Sequence, residues 1–174
     1  MKRILYVCVS FFILVSCETI ENIELKVENN LTERIPVRIS QTANMEESFD
    51  FTNTLDIHSG DFSQFENKIA ELTIMHLSYA FIDFTGDTNG SITSGVLEID
   101  DVVIAEKTDF NVSTAAAAGT VFHVTDVEKL QRIASIFTGD IDAVVRLKGA
   151  VLSERDAMDF KIELRLDMIA TMKE

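Results

Sequence analysis

Met158-Asp159-Phe160-Lys161-Ile162-Glu163-Leu164-Arg165-Leu166-Asp167-Met168-Ile169-Ala170-Thr171-Met172 is the longest unbroken alternation in the chain. Every even position is apolar, while Asp159, Lys161, Glu163, Arg165 and Asp167 occupy odd ones. Successive side chains of a strand point to opposite faces, so this period of two specifies a β-strand with one face on a core and the other in water. Just upstream, Ala143, Val145, Leu147, Gly149 and Val151 share one parity, and the polar stretch Ser153 to Asp156 separates the two runs. The expectation is two long strands paired as neighbours.

Working outward toward the N-terminus, the same signal recurs in weaker form. Ile23, Leu25 and Val27 alternate, Glu28 to Glu33 reads as a polar corner, and Ile35, Val37 and Ile39 alternate again around Pro36. Pro36 cannot donate to a ladder, which suits an edge strand, and the two runs read as a paired couple. Phe49, Phe51, Leu55 and Ile57 predict a further strand, and Asp61 to Lys68 a helical turn. Glu71 to Phe84 is apolar on both parities, which needs either two buried faces or a bulge near Met75-His76. Gly86 to Gly90 is a turn by composition. Val96 to Ile99 and Val102 to Ile104 predict a hairpin across Asp100-Asp101.

One helix is expected, from Asp126 to Thr138. Thr125 and Glu128 have capping-box spacing, Val127, Leu130, Ile133, Ala134 and Phe137 recur at helical spacing, and Gly139 marks the stop. Before it, Asn111 to Thr120 reads as a loop leading to a strand at Val121 to Val124. About eight strands with one helix make an antiparallel β-sandwich, with a partly closed barrel as the alternative. Residues 23–174 are read as a single β-rich domain.

The first residues carry a different signal. Lys2 and Arg3 precede the apolar run Ile4 to Val15, broken by Ser10, and the run ends in Leu14-Val15-Ser16-Cys17. A cationic start, a short apolar middle and small residues before a cut are the parts of a secretory signal. The run is well short of the roughly 20 residues that a spanning helix needs. Leu14 to Cys17 resembles the lipobox of bacterial lipoproteins. That resemblance implies a signal peptide at residues 1–16, cleavage between Ser16 and Cys17, a diacylglyceryl thioether on Cys17, and acylation of the new amine by a fatty acid such as palmitate. Residues 17–22 would then be the lipidated cysteine and a short tether. Two or more acyl chains, at about 0.8 kcal/mol per buried CH₂, hold a protein on its bilayer. The pattern of a lipobox followed by an acidic β-rich body resembles envelope lipoproteins of Bacteroidota. It implies the bacterial outer membrane, with the periplasmic or surface face open, since Glu18 and Glu21 match the surface-export pattern of that group only in part.

The net charge of −14 becomes −16 once Lys2 and Arg3 are removed, a balance that repels phosphate backbones and argues against nucleic acid as a partner. Cys8 lies within the signal and Cys17 is its lipid-bearing residue, so neither leaves a disulfide or a thiol for chemistry. No Gly-x-Ser-x-Gly elbow is present, and His58, His76 and His123 lack metal-ligand spacing. His76 and His123 are expected as partly buried strand residues. Asp87-Thr88-Asn89-Gly90 has the centre of a calcium loop, but Thr85 and Val96 stand where its outer ligands would be, so a plain turn is expected. Asp100-Asp101 could be a carboxylate pair, although adjacent residues of an extended chain point apart. The resulting expectation has no catalytic residues, no metal and no cofactor. It is a lipid-anchored envelope protein, not an enzyme, with a structural, assembly or interaction role through an envelope protein partner. The alternative is a small-ligand or carbohydrate binding lipoprotein accessory to uptake, which would need a pocket lined by Tyr79, Phe81 and His76.

Overall fold

A hairpin at Asp100-Asp101 folds the chain back on itself, and the pairing of the strands follows from that reversal. The computed structural model describes residues 25–40, 46–56, 69–139, 142–152 and 157–172. In chain order the elements are β1 (Leu25–Ile39), β2 (Glu46–Asp56), β3 (Ile69–Gly86), β4 (Ser91–Ile99), β5 (Val102–Phe110), α1 (Val112–Ala117), β6 (Val121–Val124), α2 (Val127–Gly139), β7 (Asp142–Leu152) and β8 (Met158–Met172). On either side of the hairpin β4 pairs with β5, β3 with β6, β2 with β7 and β1 with β8, all antiparallel. Two further antiparallel pairings, β3 with β8 and β4 with β7, roll this ribbon into two four-stranded sheets. Their orders are β1-β8-β3-β6 and β2-β7-β4-β5. A doubled chain rolled in this way into two facing sheets is a jelly roll, a form of β-sandwich. The sandwich expectation holds; the sheets remain separate, so the barrel alternative does not.

The strand β8 is as its alternation predicts. Met158, Phe160, Ile162, Leu164, Leu166, Met168, Ala170 and Met172 are all buried. Its expected partner is wrong. β7 and β8 lie in opposite sheets, with β8 held between β1 and β3, and β7 between β2 and β4. Period two tells which face a residue occupies but not which strand lies alongside, and both strands are long enough to take two other partners.

β1 also corrects an expectation. The supposed corner at Glu28 to Glu33 is strand throughout, and Leu25 to Ile39 pairs residue for residue with Met172 to Met158. Leu31 keeps the parity of Val27 and Ile35, so the inward face continues across the polar segment. The cost falls on Asn29, which is buried with its Nδ2 lacking a hydrogen-bond partner among the described residues.

In β3 the register shifts between Ile74 and His76, at the bulge expected from the change of parity. Leu72 and Ile74 are buried before it; Leu77, Tyr79 and Phe81 are buried after it. The β4–β5 hairpin is as expected, with Asp100 at φ 47° and its side chain accepting the Val144 N–H at 2.9 Å. β4 and β7 approach closely where Gly95 faces Gly149, since a Cβ on Gly149 would lie 2.1 Å from the Ser94 carbonyl oxygen.

Two helices are present where one was expected. Val112–Ala117 is a short helix, capped by the Asn111 side chain accepting the Thr114 N–H at 2.7 Å. Asn111 also donates to the Thr88 carbonyl at 2.9 Å, tying the helix start to the turn after β3. Its alanines are the strongest helix formers, but six residues are too few to display a period. In α2 the cap is Asp126 and not Thr125: its Oδ1 accepts from the Glu128 and Lys129 N–H groups at 3.0 and 3.3 Å. Ile133, Ala134 and Phe137 bury one face, whereas Val127, placed on that face by its spacing, is 63% exposed. The expected helical turn at residues 61–68, together with Ile23, Ile57 and His58, lies outside the described residues.

Candidate functional site

The residues that sequence reasoning would bring together do not form a ligand pocket. Tyr79 and Phe81 point into the core, where their rings complete a cluster with Phe110, Phe122 and Phe160. Tyr79 stacks on Phe122 with centroids 5.0 Å apart, and Phe81 lies 5.1 Å from Phe110 and 5.8 Å from Phe160. Lys107 closes this cluster, its Nζ standing 4.0 Å over the Phe122 ring. Burial pushes the Tyr79 phenol up from its ordinary value. His76 is on the outside instead, its Nδ1 3.4 Å from an Asp167 carboxylate oxygen, and His123 is exposed as well. The expectation of partly buried imidazoles is therefore corrected at both positions. The bulge at Met75 turns His76 to the outer face beside Asp167, and His123 has the outward parity of β6, opposite to Phe122 and Val124.

Asp87-Thr88-Asn89-Gly90 is a closed turn. The Gly90 N–H donates to the Asp87 carbonyl at 3.1 Å, and the Asn89 N–H donates to the Asp87 carboxylate at 2.9 Å. Among the described residues, no three His, Cys, Asp or Glu side chains are grouped so as to hold a metal ion. Ser16 and Cys17 lie outside the described residues. No described helix is long and apolar enough to cross a membrane.

Carboxylates are instead committed to the outer faces of the two sheets. Glu163 on β8 is buried between Arg34 of β1, 2.8 Å away, and Arg165. Glu98 on β4 is buried between Lys148 at 3.0 Å and Arg146 at 3.1 Å, both from β7. The hydrogen bonds from Arg165 and Arg34 hold Glu163 below the usual carboxylate range, and those from Lys148 and Arg146 do the same for Glu98. Each carboxylate ties two basic side chains to its sheet and leaves neither acid available as a proton donor near neutrality.

Among the described residues, one open feature of the surface is a groove of about 820 Å³ between β3 and α2. One wall is Ala70 to Met75; the other is formed by Val127, Leu130, Gln131, Ala134, Ser135 and Thr138. The first wall comprises six successive residues of a strand. Alternate residues face opposite sides of a sheet, so successive ones can line a single groove only along the strand's edge. The pairings agree: β6 covers that edge of β3 from Leu77 to Ala80, and no described strand pairs with it before Leu77. Met75 and Val127, 49% and 63% exposed, add apolar surface to the opening. Sequence reasoning missed this groove, although its one trace was the apolar run of both parities at Glu71 to Phe84.

A second depression, about 610 Å³, lies under the β4–β5 turn between Asp100, Asp101, Arg132 and Arg146. Its Arg146 is already engaged by Glu98.

No protein-family model matches the chain, and no curated protein does. Among solved structures it is similar in outline to the decameric BFDV capsid protein, at 11% identity and a TM-score of 0.44, covering 84% of this chain and 99% of that one. It is similar also to a structure titled Desmodium yellow mottle tymovirus, at 8% identity and a TM-score of 0.33, covering 84% of each chain. The jelly-roll topology follows from the strand pairings of this chain itself.

Proposed function

We propose that the protein is a lipid-anchored component of a bacterial cell envelope, held in the outer membrane through Cys17, whose jelly-roll body acts by binding a protein partner and not by catalysis. The observation that carries this reading is the ordered set of Lys2 and Arg3, the apolar run from Ile4, and Leu14-Val15-Ser16-Cys17. Its parts must agree in composition, order and position, and only a thiol can form the thioether. β1 begins at Leu25, eight residues beyond Cys17, so the tether can place the body at most about 30 Å from the anchored cysteine. A body on so short a tether works close to its membrane.

The non-catalytic part of the reading is supported by the commitments of the side chains. The two buried glutamates are each bound by two cations, and the aromatic residues that could have lined a ligand pocket fill the core. The chain's acidity disfavours nucleic acid.

The test is Cys17→Ala in a bacterial host. The wild-type protein is expected to float with membranes after alkaline washing and to yield an N-terminal peptide carrying the mass of a lipid on Cys17. The variant is expected to lose both. Flotation of Cys17→Ala equal to wild type, or an unmodified Cys17 in the wild-type protein, overturns the proposal.

A further inference from the structure

We propose that the edge of β3 from Ala70 to Met75 is a docking site for an extended peptide of another protein, which adds to the sheet as a strand between β3 and α2. This deepens the partner-binding reading above and rests on it for the existence of a protein partner.

The geometry sets the chemistry of the occupant. A free strand edge offers a row of backbone N–H and C=O groups spaced for another strand, and only an extended main chain satisfies them in series. The regular run between the bulges at Ala70 and Met75, Glu71 to Ile74, accommodates about 13 Å of such a chain. The flanking wall from α2 supplies Val127, Leu130 and Ala134 for alternate apolar side chains of the incoming strand.

The other long edges, β1, β2 and β5, carry charges, a proline or a twist along their length, with Asp50 and Asp56 exposed on β2; on the groove stretch of β3 the bulges fall at its two ends, Ala70 and Met75, and Glu71 to Ile74 between them is regular. β1 has Pro36 in its length and Lys26, Glu28, Arg34 and Arg38 exposed along it. β5 is twisted by Asp109 at φ 48° and by a register shift between Leu97 and Glu98 of its partner β4. Prolines, charges and bulges of this kind protect sheet edges from unwanted strands. Along the groove, Glu71 is the single charged lining residue.

Charge selects the kind of peptide. Glu71 in the wall and a net charge of −14 over the chain oppose an acidic strand, and by the same argument oppose a second copy of this protein. The occupant is therefore a strand alternating apolar residues with neutral or basic ones.

The experiment uses the full chain and three fluorescent decapeptides. The first alternates valine and threonine between terminal lysines, the second is the same peptide N-methylated on alternate amides, and the third has glutamates in place of the lysines. Binding is read by anisotropy, and hydrogen exchange of the Ala70 to Met75 amides is followed in parallel. The lysine peptide is expected to bind and to slow exchange at those amides. The methylated and glutamate peptides, and the exposed-wall variants Met75→Arg and Val127→Arg, are expected to bind at least about tenfold more weakly.

Equal binding by the methylated peptide overturns the proposal, because main-chain pairing would not be the cause. So does unchanged exchange at Ala70 to Met75 with saturating peptide. Amides already protected in the free monomer would show that the chain's own residues fill the groove. Protection that rises with protein concentration would assign it to a second copy. Flotation of the same preparation is scored independently, so loss of peptide binding and loss of the lipid anchor are separate results.

Discussion

β8 and β3 are neighbours in one sheet, paired over most of their lengths, yet only one of them is regular. β8 is flanked by β1 and β3 and alternates without interruption. β3 has three shifts of register against β8, and on its other edge it meets β6 over four residues only. A strand with partners on both sides and one dry face has a single acceptable register, because a slip of one residue would turn all its apolar side chains to water. A strand with a partly free edge can bulge at lower cost. In this molecule the irregular strand borders the open groove, and no residue of the regular strand lines it.

Four substitutions probe that contrast. The largest effect is expected in β8: Ile162→Asp buries an unpaired charge at a fully buried site and should cost more than about 4 kcal/mol, enough to abolish the cooperative transition in urea. Next is the core half of β3. Phe81→Ala removes a ring that touches Phe110, Phe122 and Phe160, and should cost about 3–5 kcal/mol by denaturant midpoint. A loss below about 1 kcal/mol would mean that this half of β3 is as loosely held as the groove half.

Glu163→Gln tests the outer face of β8. Loss of charge-assisted bonds from Arg34 and Arg165 should cost about 1.5–3 kcal/mol at neutral pH. The sign of its pH dependence follows from its lowered folded-state value. The stabilisation is complete above the glutamate pKa of the unfolded chain and is lost as pH falls through the lower, folded one. The difference in stability between wild type and Glu163→Gln should therefore shrink on acidification, and a constant difference would remove the charge from the explanation. The smallest effect is expected at the groove. Met75→Ala should change stability by no more than about 0.5 kcal/mol, since its side chain is half exposed. A larger loss would mean that Met75 packs as core and that the groove is not open.

Several local features were legible for plain reasons. The turns at Gly86 to Gly90 and at Asp100-Asp101, the bulge near Met75 and the helix after Asp126 each show themselves within a dozen residues. α1 was missed because it is too short for periodicity, although Asn111 before a run of alanines is a cap before helix formers. Thr125 was preferred to Asp126 as the cap of α2 because a pair with Glu128 looked complete, but adjacent cap-forming residues leave the choice of one to packing. The groove had no motif of its own. It exists because β6 ends at Val124 and the chain turns into a helix beside β3, which is a relation between segments about 50 residues apart.

Alternation by itself determined which side chains of β7 and β8 face the core, because the pleat of a strand fixes the face of every residue relative to the next. It could not determine that these consecutive strands belong to opposite sheets. Partner choice depends on how the whole doubled chain rolls up, and on the backbone groups that each strand finds beside it. Likewise the residues of the groove are all present in the sequence as ordinary strand and helix residues. Only the tertiary structure leaves an edge unpaired among the described residues and sets an apolar helix face alongside it.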